Sequence, residues 1–342
     1  MDINRDAPFT LIKISEDDSD RRIDSFLKKL LTKTPDSLIY KAIRTGKIRI
    51  NNKRIKPSTR TKTTDQISIR NELCNNYMPN RNTNFKEDTK YLTYNKLKEE
   101  KSTKFPLKIL YNGHGVKIIN KPYGIVTHGA EKSVMTLLKQ KLATEQRTTE
   151  KSLTFTPSAI HQLDKITSGI LIIAKTHKGA RQWSLALKAR KIIKFYIGVF
   201  SGTLPFKNKS IVWQDNISYN ENHRRAVIDS NGANSITRIW PIAHNISSYS
   251  ESTLGLIQIV TGKKHQIRAH AAIHHYALIG DKKYGQHETT PPTLHAFAIR
   301  NDLFSPSLII QAPMPKKTEN LINQRFGFDI NKKIHKEIGK HI

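Results

Sequence analysis

The chain has 342 residues, 37% of them hydrophobic, a single cysteine, and 58 Lys and Arg against 28 Asp and Glu, a net charge of +30. One cysteine, Cys74, excludes a disulfide framework and a cysteine-based zinc finger. The densest apolar run, 170–174, falls far short of the roughly 20 residues of a membrane span, and the first six residues lead one to expect no secretory leader.

A soluble cytoplasmic protein is therefore expected, long enough for two domains. Its charge attracts polyanions, nucleic acid foremost. A composition heavy in Lys, Ile and Asn also follows from an AT-rich genome, but the charge here is unevenly spread.

Residues 21–70 hold 15 Lys and Arg against 3 Asp and Glu. Asp20 is placed to cap a helix over 21–31, in which Ile23, Phe26, Leu27, Leu30 and Leu31 share one face. Thr34 as cap and Pro35 at the first position predict a second helix, with Leu38, Ile39, Ala42 and Ile43 on one side and Gly46 at its end. A short strand over 47–50, a turn at Asn51-Asn52 and an exit through Lys53, Arg54 and Ile55 follow. Two small helices thus present a basic strand and turn. Arg22, Arg44, Lys47, Arg49, Lys53 and Arg54 are the candidate RNA contacts, the plainer reading being a basic hairpin that only solubilises the chain. Apolar periodicity then lapses, and a flexible linker is expected over 73–105, because such a segment buries too little to offset its ordering entropy.

From about Pro106 strands and turns take over. A strand over 116–119 stops at the turn 120–124 and resumes at Ile125-Val126. A helix is predicted over 133–142, a buried strand over 170–174, a helix over 180–190, strands over 192–200 and 254–260, and a helix over 266–276. With no regular strand–helix repeat, the class is α+β. The predicted division is an extension at 1–20, a small α/β RNA-binding domain at 21–72, the linker, a catalytic domain at 106–316, and a basic C-terminal tail at 317–342. The tail ends with Lys332, Lys333, Lys336 and Lys340 and reads as a solvated helix or a further RNA contact.

The segment 160–176 carries the chemistry. Asp164 stands just before a strand apolar enough to be central, at the rim of the core, where a carboxylate's properties are tuned by its surroundings. Taken alone, Asp164 with Thr167, Ser168 and Gly169 reads more readily as only an Asx-type turn, and Tyr196 on its alternating strand reads as core. His270 and His274 have the i, i+4 spacing that zinc sites use, but no Glu accompanies them and Asp281 lies beyond the helix. A metal-dependent hydrolase built on His265, His270, His274 and His275 is thus one alternative.

Two resemblances add to this reading. The segments 22–27 and 43–51 resemble the αL-type RNA-binding domain of a ribosomal protein and of many RNA-modifying enzymes. His161-x-Leu163-Asp164-x-x-Thr167-Ser168-Gly169 resembles the catalytic motif of the RluA family of pseudouridine synthases. Three further segments resemble that family in the same order. They are Asn120-Lys121-Pro122-x-Gly124-x-Val126-x-His128, then Lys194-x-Tyr196 followed by Gly202, then Thr261-Gly262-x-x-His265-Gln266-Ile267-Arg268-x-His270 followed by Gly280-Asp281-x-x-Tyr284-Gly285. Leu294-His295-Ala296 resembles a further segment near the site.

The resemblance spans about 110–300 and is greatest to the RluC group, which acts on 23S ribosomal RNA. It implies a mixed, largely antiparallel sheet with the cleft across it. Asp164 would be the nucleophile, Tyr196 would stack on the flipped uracil, and Arg268 would pair with the carboxylate. His161, Gln162, Lys194 and His265 would contact RNA. The implied isomerisation needs no cofactor and no metal, and the implied partner is 23S ribosomal RNA or a large-subunit precursor particle, bound by a monomer away from any membrane. Gln162 stands where the family usually has Arg, a departure expected to weaken or alter RNA engagement while catalysis is kept. Gly198 and Phe200 replace a usual Ala and Val. A non-catalytic RNA-binding or ribosome-assembly protein with a decayed site is the other alternative, against which the joint presence of Asp164, Tyr196 and Arg268 speaks.

Overall fold

The computed structural model describes residues 8–77, 107–144, 152–205, 210–245, 251–285, 290 and 292–342. They form two compact units, the first comprising the described residues up to Tyr77 with 152–157 and 175–178, the second the remainder.

In the first unit, β1 (Phe9–Lys13), α1 (Ile23–Leu30), α2 (Asp36–Arg44), β2 (Ile48–Ile50), β3 (Gln66–Arg70) and α3 (Asn71–Tyr77) follow one another. The strands pair antiparallel in the order β1-β3-β2. Apolar residues at helical spacing in α1 and α2 (Ile23, Phe26, Leu27, Ile39, Ile43) meet Ile12, Ile48, Ile67 and Ile69 of the sheet in one core. Asn51 and Asn52, at φ 49° and 62°, make the expected tight turn after β2. Gly46, at φ 73°, ends α2 where a Cβ would press on the Arg54 side chain at 3.2 Å.

Both predicted caps are corrected. Asp20 instead receives Arg60, and Arg22 occupies the cap position of α1. Pro35 has extended backbone, φ −56° and ψ 141°, so it is itself the cap residue of α2 and Thr34 lies one residue too early. The predicted start of the linker at 73 also moves, because α3 runs on to Tyr77 with Leu73 and Cys74 buried in the first core; the rest of that segment, 78–105, lies outside the described residues. The chain returns to this unit at 152–154. There the buried Asp18 carboxylate accepts from Ser152 Oγ at 2.6 Å, Leu153 N at 2.8 Å and Thr154 Oγ1 at 2.9 Å, with Arg21 at 3.3 Å.

The second unit runs β4 (Lys108–Gly113), β5 (Val116–Lys121), α4 (Val134–Thr144), β6 (Ser158–Ala159), β7 (Ser168–Ala174), α5 (His177–Lys188) and β8 (Ile192–Ser201). It continues through β9 (Ile211–Asn220), β10 (Arg225–Ile228), β11 (Ala233–Asn245), β12 (Ser252–Ile259), α6 (Gln266–Ile273), β13 (His295–Asn301), β14 (Leu308–Gln311), α7 (Lys316–Phe326) and α8 (Ile330–Gly339). One sheet in the order β10-β9-β11-β12-β8-β13-β7-β5-β4 carries it, with β14 on β13 and β6 on β7. Among the described strands the pairings are antiparallel except β13 with β7, so the expected α+β class with a mixed, largely antiparallel sheet holds. Ile125 and Val126 form no strand; the chain there is loop leading to α4.

Alternation along β8 divides its side chains between the two faces. Phe195, Ile197 and Val199 join Leu254, Leu256 and Phe297 in a core that Ile322 of α7 and Ile330, Ile334 and Ile338 of α8 complete. The segment read as a basic tail is thus a pair of helices seated on the sheet, α7 through Ile322 and α8 through an isoleucine every four residues, not a solvated helix. Tyr196, between Phe195 and Ile197, belongs to the other face.

Candidate active site

The turn 163–167 that feeds β7 is braced from both sides. Thr127 Oγ1 donates to Leu163 O at 3.1 Å, Gly124 N to Lys165 O at 2.8 Å, and Thr167 N to Asp164 O at 3.1 Å. The turn is therefore closed by the Asp164 backbone carbonyl, which leaves the carboxylate to the cleft instead of to an Asx turn. Just behind it, Gly169 has φ 107°, and a Cβ there would lie 2.2 Å from Ala296 O. Only glycine lets β7 approach β13 in this way.

The cleft, about 420 Å³, is lined by Asp164, Tyr196, Lys194, His161, Gln162, His265 and Arg268 among others. Seven of the predicted site residues are thus brought together. The other six belong to the first unit, where Arg44, Lys47, Lys53 and Arg54 are exposed, Arg22 pairs with Asp24 at 2.7 Å, Lys47 pairs with Glu72 at 2.7 Å and Arg49 Nε donates to Gly46 O.

Arg268, in the first turn of α6, is 5% exposed and sits between two carboxylates. Its Nη1 donates to Asp164 Oδ2 at 3.1 Å, while Nε and Nη2 grip both oxygens of the buried Asp281 at 2.7 and 2.8 Å. That bidentate grip fixes the plane of the guanidinium and the direction of the remaining donor. The guanidinium also lies 4.9 Å over the Tyr284 ring. His265, at φ 60° just before α6, turns Nε2 to within 3.8 Å of Asp164 Oδ1.

Burial sets the protonation of the lining. The Tyr196 phenol is pushed well above its ordinary range by burial and then by the charge of Asp164, so it keeps its proton. Lys194 is lowered to about 8 by burial, and so is Lys121, with Asp164 pulling the other way. Lys121 Nζ donates to Pro122 O at 3.0 Å and Ile125 O at 2.7 Å, holding the loop opposite Asp164. His161, lowered to about 3 by burial and then by Lys194, accepts the Ile172 N–H at Nε2 and is a strut as well as a lining residue. His295 joins β13 to β7 through Ser168 Oγ at 2.8 Å.

His270 and His274 both turn to Asp215, at 3.6 and 2.8 Å, away from Asp164. Among the described residues no group of three or more His, Cys, Asp or Glu is arranged to hold a metal ion, and no helix is long and apolar enough to cross a membrane. Asp281, Tyr284, Lys121 and Thr127 received no role from the sequence alone. The first three stand in the motif segments, which were the signal available.

A buried aromatic, an arginine-held carboxylate and several N–H donors facing one opening suit a planar, polar ring brought against a nucleophile. The profile of the RNA pseudouridylate synthase family matches residues 115–273, which contain Asp164, Tyr196, His265 and Arg268, and the S4 domain profile matches 21–67. Ribosomal large subunit pseudouridine synthase C of Buchnera aphidicola subsp. Schizaphis graminum is 32% identical over 281 residues, 82% of each chain. The chain belongs to the RNA pseudouridylate synthase family. The synthase is of the RluA type with an S4 domain, and the enzyme of the same name from Vibrio vulnificus, 27% identical, covers 91% of it and is itself covered to 95%. The human protein RNA Pseudouridylate Synthase Domain Containing 4 shares the fold, with a TM-score of 0.52 at 21% identity over 64% of the synthase and 92% of that chain.

Proposed function

We propose that the synthase isomerises uridines of large-subunit ribosomal RNA to pseudouridine, with Asp164 as nucleophile, Tyr196 stacking on the flipped base and Arg268 orienting the carboxylate. The observation that supports it best is the contact of Arg268 Nη1 with Asp164 Oδ2 at 3.1 Å in the cleft that Tyr196 also lines. The reaction breaks the N1–C1′ bond, turns the base and forms C5–C1′, so that C5 loses a proton and N1 gains one. A carboxylate aimed at sugar or base serves this, and Arg268, donating to Asp164 Oδ2, aims it. A base leaving its stack costs a few kcal/mol, which an aromatic platform offsets. The relatives named for the large ribosomal subunit support the substrate class. The exposed basic residues of the first unit and Lys263 and Lys264 at the cleft rim supply backbone affinity that salt weakens.

Tritium release from 23S transcript carrying 5-tritiated uridine, wild type beside Asp164→Asn, tests this. Release by the wild type alone is expected. Release by neither, on transcript or on ribosomal particles, with both still binding RNA, would favour the non-catalytic reading.

A further inference from the structure

Asp164 has two oxygens, and Arg268 accounts for one. The other, Oδ1, faces His265 Nε2. Which hydrogen His265 offers depends on its far nitrogen, and that nitrogen meets Tyr284. The Tyr284 hydroxyl accepts the Ala226 N–H of β10 at 2.5 Å and lies 2.9 Å from His265 Nδ1. A phenol that accepts from a backbone amide still has its own hydrogen to donate. With Nδ1 as the acceptor, a neutral imidazole carries its hydrogen on Nε2.

We propose that Tyr284 and His265 are a positioning relay, in which Ala226 N–H, the Tyr284 hydroxyl and His265 fix an Nε2–H donor on Asp164 Oδ1. This rests on the reading of Asp164 as the nucleophile. The groups facing His265 are Asp164, Arg268, Tyr284, Tyr219, Lys264 and Lys283. Burial lowers the imidazole to about 4; Asp164 opposes this and the three cations add to it, so the ring is neutral at neutral pH. The left-handed backbone at His265 sets the ring's direction, and its N–H closes on Oδ1 as substrate settles, as such contacts do between free and bound enzymes. The carboxylate is then gripped by a cation on one oxygen and a neutral donor on the other, which orients Oδ1 without neutralising it. Tyr284 touches both arms, since its ring also lies under Arg268.

Tyr284→Phe keeps the ring under Arg268 and removes only the hydroxyl. Nitrogen-15 NMR of histidine-labelled protein reads the tautomer directly, the His265 signal being assigned by its loss in His265→Gln. The expected result is a bare Nδ1 and a protonated Nε2 in the wild type, moving toward Nδ1–H in Tyr284→Phe. In tritium-release kinetics Tyr284→Phe should lower kcat about tenfold, the effect of one lost hydrogen bond to a charged group, with KM for RNA unchanged. His265→Gln, whose amide N–H falls near Nε2, should retain more of kcat than His265→Asn, whose amide falls near Nδ1. An Nδ1–H or doubly protonated wild-type ring, a tautomer indifferent to Tyr284→Phe, or Asn matching Gln would each overturn the relay. A wild type that releases no tritium sinks the functional reading, while the tautomer still decides whether the relay exists.

Discussion

One guanidinium serves two carboxylates, and the division of labour between them is unequal. Asp281 takes two of the donors of Arg268 and is 1% exposed, whereas Asp164 takes one and faces the opening. Asp281 is thus a positioning residue for the arginine. Asp281→Asn should lower kcat by about tenfold to hundredfold, because a misdirected Arg268 no longer holds Asp164 in line, while RNA binding in a filter assay stays the same. A variant with wild-type kcat would show that Arg268 is aimed by Asp164 and its own helix alone. At this scale the sequence was readable where a motif carried the residue and not where distance did. Asp164 and Arg268 were found through their motifs, though 104 residues separate them. The service of Asp281 to Arg268 needed the turn after α6, which no local pattern reports.

Elements with long apolar runs or one apolar helical face were legible, whereas β13, buried at nearly every position, was not read as a strand. The run of β7, buried at every position, and the face of α1 stood out at once. The strands β9, β10 and β11 did not, since they lie toward one end of the sheet, mix polar with apolar residues and leave Val212, Val227 and Ile228 exposed. The isoleucines of α8 were overshadowed by its lysines. The parallel join of β7 to β13 was invisible for another reason: it is two residues long and depends on Gly169. Gly169→Ala puts a Cβ against Ala296 O and asks a left-handed backbone of an L residue, so a loss of about 3 kcal/mol or more is expected. Urea denaturation measures it, and a midpoint like the wild type's would mean that the two strands separate freely.

Across the whole molecule several histidines are held neutral by burial. His161 is lowered to about 3, and His270 and His295 to about 4, from an ordinary 6.5. Between about 4 and 6.5 the unfolded chain therefore binds protons that the folded chain refuses, and stability rises with pH across that window. Urea midpoints should fall steadily on acidification through it, and His295→Asn should flatten the slope. A midpoint indifferent to pH would mean that these rings open to solvent readily. The order of the sheet has a consequence for how the enzyme comes into being. β13, which lies between β8 and β7, and the helices α7 and α8, which close the far side of β8, all follow the Asp164 turn in the chain. The turn that carries Asp164 is therefore synthesised before the strand and helices that seat it. A nascent chain that lacks β13, α7 and α8, surrounded by the very RNA class proposed as substrate, has no finished cleft.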